Sequence, residues 1–71
     1  MEIGDVHELV SENLRKYRLA QNLTIKELSQ KSGVNQRFIE RIENKLAKRV
    51  LISKLFVIAE SLNIPIIKLF K

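Results

Sequence analysis

The segment Thr24-Ile25-Lys26-Glu27-Leu28-Ser29-Gln30-Lys31-Ser32-Gly33-Val34-Asn35-Gln36-Arg37-Phe38-Ile39-Glu40-Arg41-Ile42-Glu43 decides the fold. Thr24-Ile25-Lys26-Glu27 is a capping box, in which the threonine oxygen takes the amide of Glu27 and the glutamate carboxylate reaches back. It predicts a short helix from Ile25 to Lys31. Ser32-Gly33-Val34 then turns sharply, because Gly33 adopts positive φ at little steric cost. Asn35 is an N-cap for a second helix, Gln36 to Glu43 or Asn44, with Phe38, Ile39 and Ile42 on one stripe. Two short helices joined by so tight a turn cross steeply, and the second protrudes. Ser29, four residues before Gly33, is small enough for their close approach, and Ile39 and Ile42 pin the second to the body.

Outward from this segment the chain remains helical. Upstream, Val6, Val10, Leu14 and Tyr17 share one face of a helix from Val6 to Gln21. Asn22 ends it, since its short side chain tolerates the left-handed region. Downstream, a polar basic loop spans Asn44 to Arg49. A further helix, Ile52 to Leu62, directs Ile52, Leu55, Ile58, Ala59 and Leu62 inward. Pro65 suits the first turn of a last short helix carrying Ile66, Leu69 and Phe70. The expected architecture is all-α: one compact five-helix domain over residues 1–71, with 1–6 at a frayed end.

Composition narrows the function classes. A chain of 71 residues holds one small core, and with no cysteine it has neither disulfides nor thiolate metal sites. Such a chain gains stability from tight helix packing or self-association. Its longest apolar run, Leu55-Phe56-Val57-Ile58-Ala59, is far below the ~20 residues that span a bilayer. Glu2, Asp5 and Glu8 stand where an export signal needs positive charge, so a cytoplasmic location is expected. No paired carboxylates, His/Cys cluster or glycine-rich phosphate loop is present, which argues against catalysis. The single histidine, His7, reads as a surface residue. No metal, cofactor, small-molecule ligand or membrane contact is expected.

The net charge of +5 is unevenly spread. Residues 1–12 hold Glu2, Asp5, Glu8 and Glu12 and no Lys or Arg, whereas 13–49 hold ten Lys and Arg against three acids, a local +7. Polyanion binding explains such a block, because each neutralised phosphate releases counterions. A merely solvated basic surface explains the charge equally well.

The order of short motifs resembles a known family. Arg15-Lys16-Tyr17-Arg18, Leu23-Thr24, Glu27-Leu28-Ser29, Gly33-Val34, Ile39-Glu40-Arg41-Ile42-Glu43-Asn44, Ala59-Glu60-Ser61-Leu62-Asn63-Ile64 and Leu69-Phe70 look like the Cro/CI-type, lambda-repressor-like (XRE) helix-turn-helix proteins. The likeness covers about residues 10–70. It implies a sequence-specific DNA-binding regulator, a repressor or dual regulator of bacterial, archaeal or phage type. Its third helix would enter the major groove of double-stranded DNA, with a homodimer on a palindromic operator.

By that resemblance Gln36 and Arg37 occupy base-reading positions, with Glu40 and Arg41 one turn on. The chemistry agrees, since Gln pairs bidentately with adenine and Arg with guanine, although any exposed helix start shows polar residues. Asn35, Lys45, Lys48 and Arg49 would meet the sugar-phosphate backbone, as would Arg15 and Lys16; a solvated loop would also be basic. Asn35 and Gln36 also offer helix-end amides to a phosphate. Arg18 and Glu43 would form a structural ion pair, and Ser29 and Gly33 build the turn.

Departures from the family pattern lie at Ile25, where a DNA-contacting Gln is common, and at Lys45, where a glycine often ends the third helix. There, either the helix continues or Asn44 ends it. Val50, Leu51, Val57 and Ile67 are apolar where the family is usually polar. They predict a homodimer surface on the last two helices, unless they fold over the small core. The competing class is an interaction module, such as an antitoxin or anti-repressor partner, that grips another protein with the same fold.

Overall fold

The computed structural model describes the backbone of residues 3–47 and 49–71 and the side chains of 8–47 and 49–71. Val6, His7 and Lys48, all singled out in the sequence, lie outside the described side chains. Among the described residues four α-helices follow in order, α1 (Ile3–Ala20), α2 (Ile25–Ser32), α3 (Gln36–Glu43) and α4 (Ile52–Ser61), and then a 3-10 helix (Ile66–Phe70). α1 begins three residues ahead of the expected Val6, at Ile3. Asn22 has φ +57 and ends it in the left-handed region. The last element is 3-10 rather than α-helical, entered from Pro65 in extended conformation.

The capping box forms in full: the Glu27 amide donates to Thr24 Oγ1 at 3.0 Å, and the Thr24 amide to Glu27 Oε1 at 2.8 Å. Gly33, at φ +77, ends α2. Across the turn, Ser29 Oγ donates to the Val34 carbonyl at 2.6 Å, so the small residue is a strut as well as a gap. Asn35 Oδ1 accepts the Arg37 amide at 2.7 Å and starts α3.

The end of α3 meets one of the two sequence expectations: Asn44 is its C-cap. The helix does not continue, and Asn44 keeps φ −89. Lys45 itself takes φ +61. The Leu46 amide donates to the Arg41 carbonyl at 2.8 Å and the Lys45 amide to that of Ile42 at 3.1 Å, the paired bonds of a Schellman motif. A left-handed lysine in the place of glycine carries backbone strain. Lys45 Nζ lies 3.4 Å from both Glu8 Oε1 and Glu12 Oε2, holding the loop against α1.

Val10, Leu14, Leu28, Val34, Ile39, Ile42, Leu55, Ile58, Ala59, Leu62 and Leu69 form the core. α3 packs between α1 and α2, α2 also packs on α4, and the 3-10 helix joins α4 to α1. Ile52, expected inward, is instead 61% exposed. Its phase matches the core stripe, but it lies in the first turn of α4, and phase does not encode whether another element covers that turn.

Polar side chains on and just after α1 finish the other helices. Ser11 Oγ donates to the Ile42 carbonyl in the last turn of α3. Asn13 Nδ2 donates to the Leu69 carbonyl at 3.0 Å, and Gln21 Nε2 to that of Leu62 at 2.5 Å. Helix C-termini leave carbonyls short of intrahelical partners, and each of these donors bonds one such carbonyl at the end of a different helix. Arg18 and Glu43 form a bidentate pair, Nε to Oε2 at 2.6 Å and Nη2 to Oε1 at 2.9 Å. Arg18 Nη1 also donates to the Leu23 carbonyl at 2.6 Å. Among the described residues no buried side-chain nitrogen or oxygen lacks a partner.

Candidate nucleic-acid interface

α3 divides cleanly into two faces. Ile39, Ile42 and Glu43 are buried and Phe38 is half-buried, while Gln36, Arg37, Arg41 and Asn44 are exposed and Glu40 is half-exposed. The inward set follows the 3.6-residue period of a helix held on one side, and the polar set takes the rest. The held side is clamped from both directions by α1 and α2. Lys54 Nζ of α4 adds a cation–π contact, 5.4 Å from the centre of the Phe38 ring. A helix fixed this way presents its outer face at a defined angle.

Arg37, Glu40, Arg41, Asn44 and Leu46 line one open groove along that outer face. Two guanidiniums and one carboxylate meet there with an amide. Each guanidinium carries a planar fork of donors matched to two adjacent acceptors. Gln36 stands exposed at the leading end. The arrangement suits the polar floor of a nucleic-acid groove, where acceptors and donors alternate on base edges.

The other expected DNA-facing residues are not gathered there. Asn35 spends its side-chain oxygen on the Arg37 amide, and its carbonyl accepts the amides of Phe38 and Ile39. Arg15, Lys16 and Arg49 are exposed, the Lys16 ammonium lying 5.4 Å from the centre of the Tyr17 ring. Lys45 reaches toward α1: the hydrogen bonds its ammonium donates to Glu12 and Glu8 push its pKa above the usual lysine value despite an opposing desolvation. The side chain nevertheless stays 47% exposed, and its place at a phosphate remains an expectation. Lys48 lies outside the described residues. Ile25, where a Gln is common in the family, is half-buried and packs on the core.

Several apolar side chains of the C-terminal third are exposed. Leu51 is 50%, Val57 38% and Ile67 52% exposed. Val50 is different: it is half-buried against the core, so the loop into α4 takes it away from the expected outer patch. Sequence reasoning missed Ile52 and Phe56, both strongly exposed. They stand four apart on α4, a spacing that puts them on one face and was available as a signal. Phe56 borders a shallow groove completed by Ala59, Glu60, Ile64, Pro65 and Ile66. Leu46 was missed as well, hidden in a loop read as uniformly polar.

A helix-turn-helix family model matches residues 14–69. The chain is 35% identical over 65 residues to control protein C.SmaI of Serratia marcescens, covering 92% of this chain and 76% of that one. Its fold is similar to the crystal structure of a hypothetical transcription factor, NHTF, from Neisseria, with TM-score 0.89 at 18% identity, over 100% of this chain and 80% of that one. The family is one of DNA-binding regulators and not of enzymes, and among the described residues no helix is long and apolar enough to cross a membrane. With its capped α2, left-handed Gly33 and outward-facing α3, the chain belongs to the XRE-type helix-turn-helix family of DNA-binding transcription regulators.

Proposed function

We propose that this protein is a cytoplasmic, sequence-specific regulator, a repressor or dual regulator, that binds a palindromic operator as a homodimer and performs no catalysis. The carrying observation is the outer face of α3, polar and bifunctional, on a helix clamped from behind. Inserted in the major groove, Gln36 and Arg37 meet bases first, and Glu40 and Arg41 meet those one turn along. Glu40 is suited to accept from cytosine N4, which gives the single carboxylate of the groove a role. Arg15, Lys16 and Arg49 fix register on the phosphates without reading sequence. The likeness to a control protein supports a regulatory role.

In-vitro selection from random duplex DNA at a stated salt concentration tests this reading. A two-fold symmetric motif is the expected result, with half-site centres about one helical turn apart or a multiple of it. The absence of any enriched sequence would overturn it and favour a protein partner.

Leu51, Ile52, Phe56 and Ile67 supply the self-association surface, and Val57 lies at its margin. Small domains gain stability by covering such surfaces, and a two-fold dimer matches a palindromic site. Phe56→Glu is expected to give a monomer in analytical ultracentrifugation while the circular dichroism of the helices persists. An unchanged dimer mass would remove this surface from the model.

A further inference from the structure

We infer that Leu46 is a specificity-determining residue that reads the C5-methyl group of a thymine at the end of the bases met by α3. The inference rests on the reading above, in which α3 enters the major groove, and adds a residue outside the helix to the base-reading set.

Leu46 is 61% exposed, yet its neighbour Ala47 packs against the core. It shares the open groove with Arg37, Glu40, Arg41 and Asn44, which recur at helical spacing along the outer face. The side chain therefore prolongs the reading face by one apolar group. Its position is firm: the Leu46 amide is bonded to the Arg41 carbonyl at 2.8 Å, and the preceding Lys45 is tied to Glu8 and Glu12.

A large apolar side chain held in water beside two guanidiniums adds nothing to the core. On a duplex it finds one good partner. Phosphates and the polar base edges offer it nothing, whereas the thymine C5-methyl is the apolar group that projects into the major groove. Burying one methyl against another apolar surface changes affinity by about fourfold.

The test combines Leu46→Ala and Leu46→Met with single replacement of each thymine in one selected half-site by deoxyuridine, which deletes only the methyl. Dissociation constants are measured for every pairing, together with the melting temperature of each variant. At one position the parent is expected to lose about fourfold on methyl removal. Leu46→Ala should lose as much on the thymine duplex and be indifferent to deoxyuridine at that position. Leu46→Met should keep the sensitivity.

No position with this coupling, or a selected half-site without thymine, overturns the inference. So does a uniform loss on all duplexes accompanied by a lower melting temperature, which would make Leu46 only the apolar cap of the α3 end. If the parent enriches no duplex at all, the major-groove reading fails first. If it binds a selected site with no coupling, only the role of Leu46 is lost.

Discussion

Arg18→Ala is expected to destabilise the domain by about 3–5 kcal/mol, because it leaves the Glu43 carboxylate buried and uncompensated. The Glu43 side chain is 2% exposed and the Arg18 side chain 9%, so water does not replace the lost partner. In a domain of this size each kcal/mol moves the melting temperature by about 4–8 °C, which places the fall above about 12 °C. Glu43→Gln should cost less, since Arg18 retains its bond to the Leu23 carbonyl and the amide still accepts from it. Replacing both partners together, Arg18→Met with Glu43→Leu, should recover much of the loss.

Thermal unfolding followed by circular dichroism measures all three; an Arg18→Ala variant that melts with the parent would show the pair to be idle. The hydrogen bond to Glu43 pushes the Arg18 pKa further up. A basic group whose folded pKa is raised contributes fully below its unfolded value, so arginine stays charged across the working range and loses nothing there by deprotonation.

Arg37→Ala is expected to weaken binding to the selected operator by about 1–3 kcal/mol, roughly 5- to 150-fold, and to relax preference at one base pair per half-site. Arg37 is exposed on the outer face, and its backbone amide, not its guanidinium, serves the N-cap. The substitution should therefore leave the fold intact, and loss of affinity reports on the guanidinium alone. Arg49→Ala is the control: a phosphate contact should weaken all duplexes alike and reduce the salt slope by about one. Titration on operator and scrambled duplexes separates the two. If Arg37→Ala bound the operator as tightly as the parent, base reading by the start of α3 would be excluded.

Most of the fold was legible in the sequence because local chemistry and global packing agree here. Thr24 and Glu27 announce the start of α2, Gly33 its end and Asn35 the start of α3, each through a backbone bond that depends on few neighbours. The apolar stripes marked Leu14, Ile39, Ile42 and Leu55 for the core. Errors arose where a residue's fate depends on what passes over it. Ile52 has the phase of a core residue but no cover, and Val50 has cover that no periodicity announces.

The candidate site was less legible than the fold. Lys45 was read by its charge, and charge does not state direction. Its left-handed backbone aims the side chain at α1, where Glu8 and Glu12 of the acidic segment await it. The outward residues of α3 were accessible to reasoning because a helix with one apolar stripe has only one side left. Leu46 was not, because an apolar residue within a basic loop is invisible to a count of charges.

Donors from Ser11, Asn13 and Gln21 end on three different segments of the chain. The N-terminal rod is thus a common brace, and no piece can peel away without stranding carbonyls elsewhere. Thermal unfolding is therefore expected as one cooperative event, with the ends of α3, α4 and the 3-10 helix released together.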